Sequence, residues 1–107
     1  MELALEVLKT CGLPICSTMS LTSYGDCVGR TVEECAVRMA RGGADVIGIN
    51  CAVDPFESLK IIERMKKALE EADLTRHLMI QPLGIHTPDV RGKPKGWSNL
   101  PEYPLGK

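Results

Sequence analysis

The sequence predicts an α/β chain with parallel strands, on three observations. Segments of helical periodicity alternate with short apolar runs, in the order helix, strand, helix, strand, helix, strand. The apolar runs sit in "LPICSTMSL", "ADVIGINC" and "HLMIQPLGI", and they carry apolar side chains on both faces, as strands covered on two sides do. A helical segment separates each run from the next, which is the connection that parallel neighbours require and that crosses over with a right-handed sense.

Each element follows from local chemistry. The first helix spans about residues 1–10, with Leu3, Ala4, Val7 and Leu8 on one stripe and Gly12 as its stop. A strand over 14–20 ends at the turn-like "TSYGD". Thr31 and Glu34 have the spacing of a capping box, so a helix opens there. Its apolar stripe is Val32, Cys35, Ala36 and Met39, and Gly42 and Gly43 end it. The second strand covers 46–51. Asp54 then caps a helix over 55–72, Pro55 suits its first position, and Glu57 stands where a capping-box partner belongs. Phe56, Leu59, Ile62, Met65 and Leu69 are read as facing inward, with Lys60, Glu63, Lys67, Glu70 and Glu71 on the solvated side. The third strand covers 78–83. After His86 the pattern gives way to a loop rich in Pro and Gly.

Composition narrows the function. A chain of 107 residues with 25% charged residues and a net charge of -1 is one domain without a basic footprint, which argues against nucleic acid and membrane surfaces. It has no apolar run near the roughly 20 residues that span a bilayer. The N-terminal "MELALEVLKT" starts acidic, unlike a signal peptide, so a cytoplasmic protein is expected. Cys11, Cys16, Cys27, Cys35 and Cys51 are odd in number and include no C-x-x-C pair, so a disulfide framework is not expected. Cys16 and Cys35, inside elements, read as core. Neither "GxGxxG" nor "GxxxxGKS" is present, so the common phosphate-binding signatures are missing.

Parallel α/β folds bind ligands at the C-terminal ends of their strands. Those ends hold residues 18–20, Asn50 with Cys51, and residues 84–86. Cys51 therefore stands on the rim where chemistry occurs, as a metal ligand, a nucleophile paired with His86, or packing. Asn50 is expected to point away from it, since side chains alternate along a strand. His77 lies on the opposite rim and reads as structural, and Cys11 belongs to that rim too.

Three motif groups then become informative together. "ECAVRMARGGADVIGINCAVDP", "HLMIQPLGIHTPD" and "LPEYPLG" closely resemble the homocysteine S-methyltransferase family, from Gly12 to near the end of the sequence. "G-x-N-C" marks the family, while "QPL…HTPD" and "LPE-[YF]-P" resemble its betaine-type branch. The resemblance implies a (β/α)8 barrel, of which this sequence is a central slice: a single partial domain of about three parallel strands, near the fifth to seventh of the barrel. It implies zinc bound by three cysteine thiolates. One is Cys51; the other two belong to a "GGCC" motif that this sequence does not contain. Glu102 matches a family glutamate near the active site. The implied reaction moves a methyl group from betaine to homocysteine, giving methionine and dimethylglycine.

A quaternary ammonium has no N–H, so aromatic faces are its natural grip. Trp97 and Tyr103 lie near the rim, with packing and donor-site readings both open. Two rivals stand beside the betaine reading. One is the same reaction with another donor such as S-methylmethionine, against which the "HTPD…LPEYP" tail argues. The other is a non-catalytic remnant or assembly module. Three strands leave two sheet edges and one sheet face uncovered, so the isolated chain is expected to be marginally stable or to self-associate into homo-oligomers.

Overall fold

A computed structural model of the chain describes residues 1–84. The elements run α1 (Glu2–Leu8), a 3-10 turn (Lys9–Cys11), β1 (Cys16–Met19), α2 (Val32–Arg41), β2 (Val46–Asn50), α3 (Pro55–Glu71) and β3 (His77–Gln81). The strands form one sheet in the order β1-β2-β3, and both pairings are parallel. Cys16 faces Val46 and Met19 faces Ile49, while Val46 faces His77 and Asn50 faces Gln81. Strand β1 is shorter than the expected 14–20, β2 stops one residue before Cys51, and β3 begins at His77, one residue early.

Both long helices start where the sequence says they should. The Thr31 hydroxyl accepts the Glu34 N–H at 3.2 Å, and the Glu34 carboxylate accepts the Thr31 N–H at 2.7 Å, which completes the capping box. Asp54 accepts the Glu57 N–H at 2.9 Å, with Pro55 at the first helical position. The Glu57 carboxylate turns to Lys60 at 3.1 Å.

Helices α2 and α3 pack against each other on one face of the sheet. Val32, Cys35, Ala36, Met39 and Ala40 from α2 meet Ile61, Met65 and Leu69 from α3 over Ile47 and Ile49 of β2. Arg64 clamps the pair: its guanidinium holds both Glu33 oxygens at 2.7 and 2.9 Å and the Ser23 carbonyl at 2.6 Å. This arrangement, consecutive parallel strands with both helices on the same side, suits neighbouring units of a (β/α) barrel.

Four expectations need correction. The strands are not covered on both faces: the helix side is buried, while Cys16, His77 and Gln81 on the other side are exposed. Cys16 is therefore not core. Alternation along β1 turns it to the open face, where its Sγ lies 3.8 Å from Met79 Sδ. In α3 the buried residues are Ser58, Ile61, Met65, Ala68 and Leu69, whereas Phe56 and Leu59 are 58% and 50% exposed. Steps of three residues drift around a helix that turns about 100° per residue, so Phe56 and Met65 fall on opposite sides. In α1 only Leu5 is buried, and Leu3 and Val7 are exposed. That helix is anchored by Leu5 in the core and tethered by two hydrogen bonds between Arg38 and the Glu2 carboxylate, at 2.7 and 2.8 Å.

Candidate functional site at the end of the middle strand

Gly48 sits in the middle of β2, and its identity follows from the spacing of the sheet. A Cβ there would run into the Met79 carbonyl of β3, so only glycine lets the two strands approach this closely. The strand then delivers Asn50, which is half-buried, and Cys51, which is exposed.

The chain does not continue as strand after Asn50. Cys51 and Ala52 both adopt left-handed backbone conformations, with φ of 54° and 56°. Two such residues in succession, neither of them glycine, are uncommon and cost on the order of 1–3 kcal/mol each. Hydrogen bonds within the turn, to β3 and from the segment after β3 hold the strain. The Cys51 N–H donates to the Gln81 carbonyl at 2.9 Å, the Val53 N–H to the Cys51 carbonyl at 2.6 Å, and the Leu83 N–H to the Val53 carbonyl at 3.0 Å. Val53 and Asp54 are buried directly after, which anchors the far side of the turn to α3.

The break in regular strand geometry also overturns the expected separation of Asn50 and Cys51. The Asn50 Nδ2 donates to the Cys51 Sγ at 3.3 Å. Alternation applies while a strand lasts, and it ends here at Asn50. Sequence reasoning had no signal for this contact, because nothing in "INCAVDP" announces two consecutive left-handed residues.

The loop between β1 and α2 borders the same rim, and its order comes from one carboxylate. Asp26 accepts the Arg30 N–H at 2.8 Å and the Val28 N–H at 3.0 Å, and Arg30 Nη1 lies 3.3 Å from its other oxygen. These donors, the Arg30 N–H foremost, hold the Asp26 carboxyl below its ordinary range. Gly25, at φ 104°, lies against the Arg30 carbonyl where no side chain fits. "GDCVGR" carried the signal for this turn in its Asp and its two glycines.

Of the residues singled out from the sequence, Cys51 is exposed just past the C-terminal end of β2, and His77 opens β3 at the opposite end. His86, Trp97, Glu102 and Tyr103 lie outside the described residues. Among the described residues no group of three or more His, Cys, Asp or Glu is arranged to hold a metal ion. Cys51 offers one exposed sulfur, the donor type that a thiolate-bound metal takes. No helix among the described residues is long and apolar enough to cross a membrane.

The fold and this rim define an α/β chain that exposes a thiol at the C-terminal end of its middle parallel strand. The family model for homocysteine S-methyltransferases matches residues 1–103, and the chain belongs to that family. Among curated relatives, S-methylmethionine–homocysteine S-methyltransferase BHMT2 of Pongo abelii is 50% identical over 103 residues, 96% of this chain and 28% of the relative. Betaine–homocysteine S-methyltransferase 1 of Sus scrofa is 47% identical over 103 residues, 96% of this chain and 36% of the relative. The bovine protein of that name (Bos taurus) is 48% identical over 103 residues, with 96% and 25% covered. The chain spans about a quarter to a third of the length of these relatives.

Proposed function

We propose that this chain works as a section of a homocysteine-methylating (β/α)8 barrel, in which a methyl group passes from betaine to the homocysteine sulfur. The observation that carries the reading is the position of Cys51. Its thiol is exposed at the C-terminal strand end and held there by a strained, hydrogen-bonded turn. Barrel enzymes keep their chemistry at that end, and strain persists where the surroundings hold it for a purpose.

In this reading Cys51 contributes one thiolate to a zinc site whose other ligands lie outside the described residues. Bound zinc is a Lewis acid that keeps a coordinated thiol deprotonated near neutral pH. The role of the chain's own residues is presentation. β2 and the backbone bond to β3 fix the sulfur in place, the Asp26 turn and the Arg64 clamp fix the neighbouring rim loop, and Glu102 corresponds by resemblance to the family glutamate near the active site. In the transfer itself the homocysteine thiolate attacks the methyl carbon. An S–C bond forms, the C–N bond breaks, and its electron pair stays on nitrogen, so the products are methionine and dimethylglycine. The free cysteines suit a reducing compartment such as the cytoplasm.

A second donor is supported by a specific observation: the relative named for S-methylmethionine is 50% identical, against 47% and 48% for those named for betaine. Both donors offer a methyl on a positively charged onium atom, so the rim chemistry is shared. A transplant tests the proposal. Residues 1–103 replace the matching segment of the bovine enzyme, and methionine formation is measured with each donor. Activity with betaine is the expected result. Activity with S-methylmethionine alone selects the second reading, and a folded chimera inactive with both contradicts the proposal.

A further inference from the structure

Cys51 poses a problem for the proposed reaction that the structure itself answers. A sulfur held at the rim, close to an onium methyl donor, is a second nucleophile beside the substrate. If the Cys51 thiolate attacked the methyl carbon, an S–C bond would form on the protein. The C–N bond would break, its electron pair would remain on nitrogen, and the neutral amine would leave. The negative charge of the thiolate and the positive charge of the onium centre cancel, so no proton moves. The result is S-methylcysteine at position 51, a thioether that no longer serves as a thiolate ligand.

We propose that Asn50 is a positioning residue that suppresses this self-methylation. Its Nδ2–H donates to the Cys51 Sγ at 3.3 Å. A donor aimed at sulfur draws on the lone pair that would attack carbon, and a thiolate's intrinsic nucleophilicity falls as its electron density falls. Partners of this kind, one step removed from a metal ligand, also fix the ligand's orientation.

Three features of the structure support the assignment. Asn50 is the last residue of β2, and its backbone is set by pairing with Gln81 of β3. The left-handed turn at Cys51 brings the two consecutive side chains together, which a continuing strand would prevent. The backbone bonds at Cys51 and Val53 keep that turn from relaxing. An amide suits the task better than a cationic donor. It leaves the charge of the sulfur unbalanced for a metal to use, and it has no proton to lose.

This inference rests on the methyl-transfer reading for its purpose, but its test does not depend on that reading. The 107-residue chain is alkylated with iodoacetamide at about pH 10.5, roughly two units above the ordinary value of a free thiol, so that the comparison reads nucleophilicity. Site-resolved mass spectrometry follows Cys51 against Cys27, an exposed cysteine on a different loop. Only molecules with unlabelled Cys35, which is buried, are counted, so each rate comes from folded protein. The Asn50→Leu variant keeps the branched shape without the donor, and Asn50→Ala removes both.

The expected result is a three-fold or greater rise in the Cys51 to Cys27 rate ratio in both variants. A general loosening of the fold would raise both sites or expose Cys35, and would leave that ratio unchanged. An unchanged or lowered ratio in both variants overturns the proposal. So does a rise in Asn50→Ala alone, since steric shielding and not the hydrogen bond would then be responsible. Because neither metal nor methyl donor is present, a negative result here leaves the chimera assay to judge the methyl-transfer reading separately.

Discussion

On one side of the sheet Ile47 and Ile49 are fully buried beneath α2 and α3, while on the other side Cys16, His77 and Gln81 stand in solvent. Both faces belong to the same strands, and only alternation separates them. The helix side carries nearly all of the apolar burial and both capped helix starts. The open side and its C-terminal rim carry the strained turn, the exposed thiol and the Asn50 contact. Apolar burial and the strained rim with its exposed thiol thus belong to different parts of one sheet, which makes the two separable by mutation.

The largest effect expected from that division is in packing. Ile47→Ala should destabilise the chain by about 2–5 kcal/mol, since it removes a fully buried side chain from the core that β2 shares with both helices. His77→Ala, on the open side, should stay within about 0.5 kcal/mol. Urea denaturation of the two variants compares the faces directly, and equal losses would break the comparison. A smaller loss, about 1 kcal/mol, is expected for Thr31→Ala, which deletes the hydroxyl half of the capping box.

The smallest effects are in pH, and they have opposite signs. The Arg64 guanidinium holds the Glu33 carboxyl below its ordinary value. A lowered carboxylate contributes stability above its unfolded value of about 4.3, and that contribution disappears as pH falls through the folded value. The pair is about two-fifths exposed, so solvent screening limits it to a few tenths of a kcal/mol. Burial pushes the Cys35 thiol up. A raised thiol contributes stability below its unfolded value of about 8.5, lost as pH climbs toward the folded value. Glu33→Gln should flatten only the acid limb of a stability–pH curve, and Cys35→Ala only the alkaline limb.

Much of the stable side was legible in the sequence. Thr31, Glu34, Asp54 and Pro55 gave both helix starts because capping is local chemistry, decided within one turn. Parallel pairing followed from the alternation of elements, and the strand order came from the structure. The inward face of α3 was misread because the chosen residues followed steps of three and so drifted around the helix. Cys16 was misread because a cysteine inside a strand says nothing about which face it occupies. At the rim, the position of Cys51 was legible from topology, but its surroundings were not. Two left-handed residues without glycine are held by the Cys51 N–H bond to Gln81 of β3 and by the Leu83 N–H bond to Val53, a non-local cause that no pattern in the sequence displays.

The family's activity was legible by resemblance, and the donor was not decided by it. The tail motifs favoured betaine, whereas relatives named for betaine and for S-methylmethionine match nearly equally well.

The claim most exposed to test is that Cys51 serves the reaction while Cys35, another thiol in the same short chain, serves only the fold. In the bovine chimera, zinc content and methionine formation are measured together for Cys51→Ala and Cys35→Ala. Cys51→Ala should lose bound zinc and at least a hundred-fold in activity, and Cys35→Ala should keep both with somewhat lower stability. A Cys51→Ala chimera with full zinc and full activity would contradict that claim and leave the thiol at the strand end as surface packing.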